Sequence, residues 1–92
     1  TPTIPIAFAL QPPAPNPAPG PVTFRYDVPT ARDVTLEVLD MLGRRVAVIA
    51  EGAAEPGYHA TVWNAGALAS GLYVVRMRAG TFVQTRRLTV AR

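Results

Sequence analysis

Apolar and polar residues alternate in several short runs along the chain. In the clearest run, Val22, Phe24, Tyr26 and Val28 alternate with polar residues, and Pro29 follows the last of them. A period of two places alternate side chains on opposite faces of a strand, so this run predicts a β-strand with one buried and one exposed face. Proline cannot donate a backbone hydrogen bond, and it marks the end of that strand.

Five further runs predict strands over residues 33–39, 44–49, 58–64, 71–79 and 82–90. The first of these has valine and leucine at even positions and polar residues at most odd ones, so Glu37 is expected to face outward. Residues 40–43 separate the first two runs, and Gly43 suits a tight turn because glycine accepts positive φ without strain. These two runs therefore predict a β-hairpin.

The remaining segments of the second half are assigned less directly. Residues 50–57 predict a loop that ends in Pro56-Gly57, and residues 65–70 are too short for more than one helical turn. Either face of the strand 58–64 could be buried. We expect Trp63 to face inward, because a lone tryptophan usually anchors the core of a small domain. On the strand 71–79, the expected inward residues are Tyr73, Val75 and Met77.

The N-terminal part has a different character. Residues 4–10 alternate as well, and Pro5 restricts them to an edge strand or a strand start. Six of the eleven residues 11–21 are proline, which predicts an extended connector. The chain divides into an N-terminal edge strand (1–10), a proline-rich connector (11–21) and a sandwich (22–92), forming one domain. About seven short strands predict an all-β, immunoglobulin-like antiparallel β-sandwich.

Composition limits how this fold is stabilised. The chain has no cysteine, which excludes disulfides and thiolate metal sites. Nine arginines and no lysine give a net charge of +3, which indicates a mildly basic surface rather than a dedicated anion site. No apolar run approaches the ~20 residues of a membrane span, and no signal peptide is recognisable. An exported form is therefore expected to carry its signal on a longer precursor that this chain terminates.

Candidate chemistry is sparse. Catalysis needs a nucleophile with a base, a metal cluster or paired carboxylates in different environments. The single histidine, His59, is expected to donate to a backbone carbonyl, and Ser70 has no histidine at a predictable distance. We therefore predict no enzymatic activity, no metal site and no cofactor. The arginines form no stripe interleaved with aromatic residues, so nucleic acid is not an expected partner.

Several motifs follow one another in a distinctive order. They are Asn16-Pro17, the strand from Phe24 to Pro29, the hairpin from Val34 to Val46 containing Leu42-Gly43-Arg44, Gly57-Tyr58-His59, Trp63, Ser70-Gly71-Leu72-Tyr73 and Arg86-Arg87-Leu88-Thr89-Val90. This ordered set resembles the type A C-terminal sorting domain of the type IX (Por) secretion system. The resemblance covers nearly the whole chain from Phe8 onward.

The resemblance implies an address label rather than an enzyme. Such domains, found in Bacteroidota, are covalently linked to an N-terminal cargo, cross the periplasm and are recognised by an outer-membrane translocon. The cargo is then released or attached to the cell surface. A sortase-like cysteine protease commonly removes the domain upstream of its first strand, so residues 1–6 are the nearest candidate processing region.

The resemblance also marks candidate recognition or structural residues. They are Asn16, Pro17, Gly43, Gly57, Trp63, Gly71, Tyr73, Arg86, Arg87, Leu88 and Val90. Several of these residues could equally recur for structural reasons, because they form turns, begin strands or pack in the core. The family usually carries lysine near its end, where this chain has arginine. An exposed edge on the final strand would offer a template for docking on the translocon or for a homodimer.

Three other functions are compatible with the same fold. One is a structural immunoglobulin- or fibronectin-like accessory domain of an extracellular glycoside hydrolase, and another is the immunoglobulin-like domain of a flagellar hook-capping protein. The third is a carbohydrate-binding module, for which Tyr58 and Phe82 are the aromatic rings with the best chance of exposure. A sorting domain is expected to end its precursor, whereas a hook-capping domain would need flanking segments.

Overall fold

The structure is a computed structural model that describes residues 4–91 of the chain. This part contains seven strands and one short 3-10 helix, Ala65–Ala67. The strands are β1 (Ala9–Leu10), β2 (Pro21–Val28), β3 (Arg32–Leu39), β4 (Arg45–Ala54), β5 (Gly57–Asn64), β6 (Gly71–Ala79) and β7 (Phe82–Val90). The strands pair antiparallel throughout the described residues. The predicted all-β fold is confirmed.

Two sheets pack face to face as an immunoglobulin-like sandwich. The first has the strand order β1-β2-β5 and the second has the order β4-β3-β6-β7. Both sheets bury the apolar face that their alternating sequence predicts. In β2, for example, the even-numbered residues are buried. The core residues between the sheets include Leu10, Phe24, Val28, Leu36, Val38, Val75, Met77, Leu88 and Val90. Burial of these side chains is the main source of stability in a chain without disulfides.

Trp63 faces the core, as predicted. It is half-buried, and its ring lies 6.1 Å from the ring of Phe24 on the neighbouring strand. Tyr73 also faces inward, and its hydroxyl donates to the Ala69 carbonyl at 2.7 Å. This bond from the start of a strand to the backbone four residues upstream is the arrangement called a tyrosine corner in immunoglobulin-like domains. It holds the loop before β6 against the sandwich.

Two elements differ in length from the prediction. β4 continues to Ala54, so the connection to β5 is shorter than the predicted loop 50–57. The small residues of 50–54 lack a clear alternation, yet they extend the ladder because β3 runs alongside them as far as Arg32. The alternating segment 4–10 forms a strand only at Ala9–Leu10, and Ile6 is 96% exposed. Residues 1–3 of the predicted processing region lie outside the described residues.

The proline-rich connector lies against the sandwich along two strand edges. Ala14 exchanges two backbone hydrogen bonds with Thr23 of β2. Ala18, which is fully buried, donates to the Thr89 carbonyl of β7 at 2.7 Å and accepts from the Ala91 amide at 3.0 Å. Gln11, Ala14 and Ala18 each donate their backbone N–H to a carbonyl of a strand. The connector is therefore a docked part of the fold.

Docking of the connector closes the last part of the edge that was expected to be open on the final strand. Between Arg87 and Ala91, the outer edge of β7 is bonded to Asn16 and Ala18. The free edges at the opposite side of the sandwich belong to β4 and β5, which are the last strands of their sheets. Residues 4–91 form no helix with the length and hydropathy that a transmembrane span requires.

Candidate recognition surface

The turn between β3 and β4 is fixed by the side chain of Asp40. Its Oδ1 accepts from the backbone amides of Leu42 and Arg44, each at 2.9 Å, and its Oδ2 accepts from the Arg44 guanidinium at 2.9 Å. The backbone hydrogen bond from Arg44, aided by its side chain and by the Leu42 amide, holds the pKa of Asp40 below its usual value. Gly43 completes the turn at a φ of 81°, which glycine adopts without strain.

A shallow apolar groove of about 210 Å³ lies beside this turn, on the outer face of the four-stranded sheet. Met41 comes from the turn, Val74 lies directly opposite Leu39 of β3, and Arg87 lies directly opposite Val74 on β7. Leu72 and Tyr73 complete the lining. Antiparallel register therefore brings three motifs together here, although they are far apart in the sequence.

The groove combines an apolar floor with one outward arginine. Met41 and Leu72 are both exposed, so apolar surface is available at its rim. Arg87 offers a guanidinium whose forked donors suit carboxylate or phosphate oxygens. Such a site can bind an apolar side chain that lies next to an anionic group.

A cluster of arginines continues from the groove across the same face of the sheet. Glu37 lies at its centre and binds Arg45 of β4 and Arg76 and Arg78 of β6, with N···O distances of 2.9, 2.8 and 3.3 Å. Glu37 faces outward as predicted, but it is only 1% exposed because these side chains cover it. One carboxylate among three guanidiniums leaves the cluster with a net positive charge.

The electrostatics of Glu37 follow from the same contacts. Burial by itself raises the pKa of a carboxyl group, because it penalises the charged form. Here the hydrogen bonds from Arg76 and Arg45 and the charges of Arg76 and Arg78 outweigh burial, so the pKa of Glu37 lies below its usual value. Glu37 is therefore an anion at neutral pH.

A comparison with known families decides what kind of domain carries this surface. The model of the family described as "Secretion system C-terminal sorting domain" matches residues 14–91, which is most of the chain. The chain belongs to this family. No curated protein and no solved structure matches it significantly. The resemblance to the type IX sorting domain is thus confirmed, and membership implies export toward the cell surface or the extracellular space.

Two of the predicted motif residues, Asn16 and Arg86, tie the N-terminal part of this sorting domain to its last strand. The Asn16 side chain donates to the Arg87 carbonyl at 3.1 Å and accepts from the Thr89 amide at 2.9 Å. Pro17 follows it through a cis peptide bond. The Arg86 guanidinium donates to the Leu10 carbonyl at 2.8 Å. Arg86 and Arg87 therefore act on opposite sides of β7.

The other motif residues divide between the core and the groove region. Leu88, Val90, Trp63 and Tyr73 pack in the sandwich, and Gly57 begins β5. Gly43 lies in the turn that carries Met41, and Gly71 begins β6 immediately before Leu72. Of the predicted motif residues, Tyr73 and Arg87 are therefore the two that line the groove.

The sequence interpretation missed Met41, Leu72 and Val74 as members of this surface. The alternation of the strand 71–79 did indicate two of them, Leu72 and Val74. If Tyr73, Val75 and Met77 face inward, then Leu72 and Val74 occupy outward positions where a polar residue is usual. An exposed apolar residue on the outward face of a strand often marks an interaction site.

His59 and Phe82 each contact another aromatic side chain of the domain. The ring of His59 stacks on Tyr26 at 5.1 Å, and its Nε2 lies 2.7 Å from the Glu55 carbonyl, to which an N–H donates. Residues 4–91 contain no group of three or more histidine, aspartate or glutamate side chains that could hold a metal ion. Phe82 is half-buried and packs on Phe8 at 5.6 Å, so it does not join Tyr58 in a sugar-stacking platform.

Proposed function

We propose that this domain is the C-terminal sorting signal of a covalently linked cargo protein, which it directs through the type IX outer-membrane translocon. The match of the family model to residues 14–91 carries the proposal. The cargo crosses the periplasm with the folded domain attached, and it is then released or attached to the cell surface. A sortase-like cysteine protease removes the domain upstream of β1, so the domain is a substrate of that protease and not itself an enzyme.

The groove beside the β3–β4 turn is the surface that the translocon reads in this proposal. Two observations support it. Three motifs of the family meet there, and Arg87 points outward on that side, whereas the neighbouring Arg86 is used to hold β1. A translocon segment with an apolar residue next to a carboxylate would fit the apolar floor and the guanidinium. Arginine supplies the basic charge that lysine supplies in the usual family pattern.

A reporter fusion tests the sorting role. Residues 1–92 are fused behind a periplasm-targeted fluorescent protein and expressed in a host with a working type IX system. Fluorescence at the surface or in the medium, lost in a translocon mutant, is the expected result. A folded domain whose reporter stays in the periplasm would contradict the proposed function and favour a structural accessory domain.

Two matched variants of the same fusion test the groove. Leu72→Asp places a charge in the groove and should reduce export at least tenfold, since it removes apolar contact and adds a buried charge to the bound state. Val83→Asp is the control, because Val83 is also an exposed apolar residue on the outer face of a strand but is not among the residues lining the groove. Equal export of both variants would show that the groove is not the recognition surface, while leaving the sorting role intact.

A further inference from the structure

β5 presents a free backbone edge to solvent. It is the last strand of the β1-β2-β5 sheet, and β2 is its sheet neighbour within residues 4–91. On the far side of β2, Thr23 exchanges its backbone hydrogen bonds with Ala14. Backbone groups alternate in direction along an antiparallel strand, so the residues next to Thr23 bond to β5.

The same alternation identifies the free groups on β5. Thr23 lies opposite Val62, so the N–H and C=O of Val62 point away from β2. Ala60 and Tyr58 occupy the equivalent positions two and four residues earlier. These three residues therefore direct their backbone donors and acceptors to the open side of the sheet.

β5 also lacks the features that normally prevent strand edges from pairing. Its sequence, Gly57–Asn64, contains no charged residue and no proline. Each of the other edges is charged, covered over part of its length or very short. β4 carries Arg45 and Glu51 and has two irregularities in its register with β3. The last part of β7 is covered by the connector, and β1 is only two residues long.

The outer face of β5 is complementary to itself. When a second β5 is placed antiparallel with the two-fold axis at Ala60, Tyr58 of one copy lies opposite Val62 of the other. Tyr58 and Val62 are 62% and 69% exposed, so both have surface left to bury. An aromatic residue opposite a β-branched one is a favourable cross-strand pair, and no like charges meet in this register.

We propose that the β5 edge binds the β5 edge of a second copy of this chain, which joins the two three-stranded sheets into one continuous sheet. The occupant is a second copy because β5 carries no charged residue that would repel its own copy, and because the exposed Tyr58 of one copy lies opposite the exposed Val62 of the other. The symmetry is isologous, so the assembly closes as a dimer and does not extend into a fibre. This inference does not depend on the sorting role.

Disulfide trapping tests the register directly, since the chain has no native cysteine. In the proposed dimer the two Ala60 residues form a hydrogen-bonded pair with Cα atoms about 5.5 Å apart, within the range that a disulfide spans. Ala60→Cys should form a covalent dimer under mild oxidation. Thr85→Cys, at an exposed position on β7, is the control and should cross-link at least tenfold more slowly. Equal rates, or no dimer of Ala60→Cys, would overturn the proposal.

Sedimentation equilibrium of the cysteine-free protein provides the second measurement. The wild type should show a concentration-dependent dimer, and Val62→Lys should raise its dissociation constant at least tenfold. Val83→Lys, the same substitution on an exposed position of β7, should leave that constant unchanged. Circular dichroism checks that each variant is folded. A wild type that stays monomeric up to its solubility limit, or a dimer that Val62→Lys leaves intact, would exclude the β5 interface.

Discussion

Replacing Glu37 by glutamine should destabilise the domain markedly, although the substitution lies on the outer face of a sheet. Glutamine preserves the shape of the side chain but removes the charge that three arginines share. Those guanidiniums would then lie close together without a counter-charge. The variant therefore isolates the electrostatic role of one carboxylate.

The size of the loss in stability follows from how deeply Glu37 and its three arginine partners are buried. Removing one partner of a fully buried ion pair costs about 3–5 kcal/mol. An exposed pair contributes only about 0.2–1 kcal/mol. Glu37 is 1% exposed, whereas the three arginine side chains are between 34% and 45% exposed, so solvent screens part of the interaction. We expect a loss of about 2 kcal/mol, which corresponds to a melting temperature lower by about 8–16 °C in a domain of this size.

The pH dependence provides an independent check. The folded-state pKa of Glu37 lies below its value in the unfolded chain, so the unfolded chain takes up a proton first as the pH falls. The stabilisation is therefore complete above the unfolded pKa, about 4.3, and is lost as the pH falls through the folded pKa. A protonated Glu37 resembles glutamine, so the difference between wild type and Glu37→Gln should shrink in acid.

Urea denaturation followed by Trp63 fluorescence measures the loss of stability in Glu37→Gln, and measurements at neutral pH and in acid give its pH dependence. Glu51→Gln is the matched control, because it makes the same change of charge at an exposed position of β4. It should alter stability by less than about 0.5 kcal/mol. The electrostatic explanation would be refuted if Glu37→Gln lost less than about 0.5 kcal/mol of stability. It would also be refuted if the loss were equally large at neutral pH and in acid.

Two further predictions concern the ties between the N-terminal part and β7. Asn16→Ala removes two hydrogen bonds to β7 and should lower stability by about 1 kcal/mol, with faster amide exchange at Thr89. Arg86→Met removes the guanidinium bond to the Leu10 carbonyl while keeping most of the side-chain stem. Because β1 then opens more often, chymotrypsin should cut after Phe8 about tenfold faster.

The controls for these two variants come from the same region of the chain. For Asn16→Ala, the amide of Met77 in the centre of the sheet reports global unfolding, and equal changes at Met77 and Thr89 would argue against a local tie. For Arg86→Met, the control is Arg87→Met, since Arg87 faces the opposite side of β7. If both arginine variants were cleaved at the same rate, Arg86 would not be what holds β1.

Local alternation in the sequence was sufficient to predict the sandwich. A strand with one buried face has a period of two, and this signal requires no knowledge of the rest of the chain. It placed β6 and β7 at the bounds observed and assigned Val75 and Met77 to the core. The tendency of a lone tryptophan to be buried in a small domain correctly predicted that Trp63 faces the core. The order of the motifs along the chain was enough to indicate the sorting family, which the family comparison confirmed.

Other features depend on which strands become neighbours, and alternation cannot reveal that. The pattern placed Glu37 on an outward face, but its burial arises from Arg76 and Arg78, about forty residues later in the chain on the strand that the sheet places beside β3. The groove likewise exists only because register aligns Leu39, Val74 and Arg87 across three strands. The prolines of the connector suggested an extended linker, and only the folded sandwich provides the strand edges to which Gln11, Ala14 and Ala18 donate. The sequence by itself therefore determined the strands and their buried faces, because those depend on neighbouring residues. The tertiary structure decided the charge cluster, the groove and the free edge, because each is made by residues that only the packing of the sheets brings together.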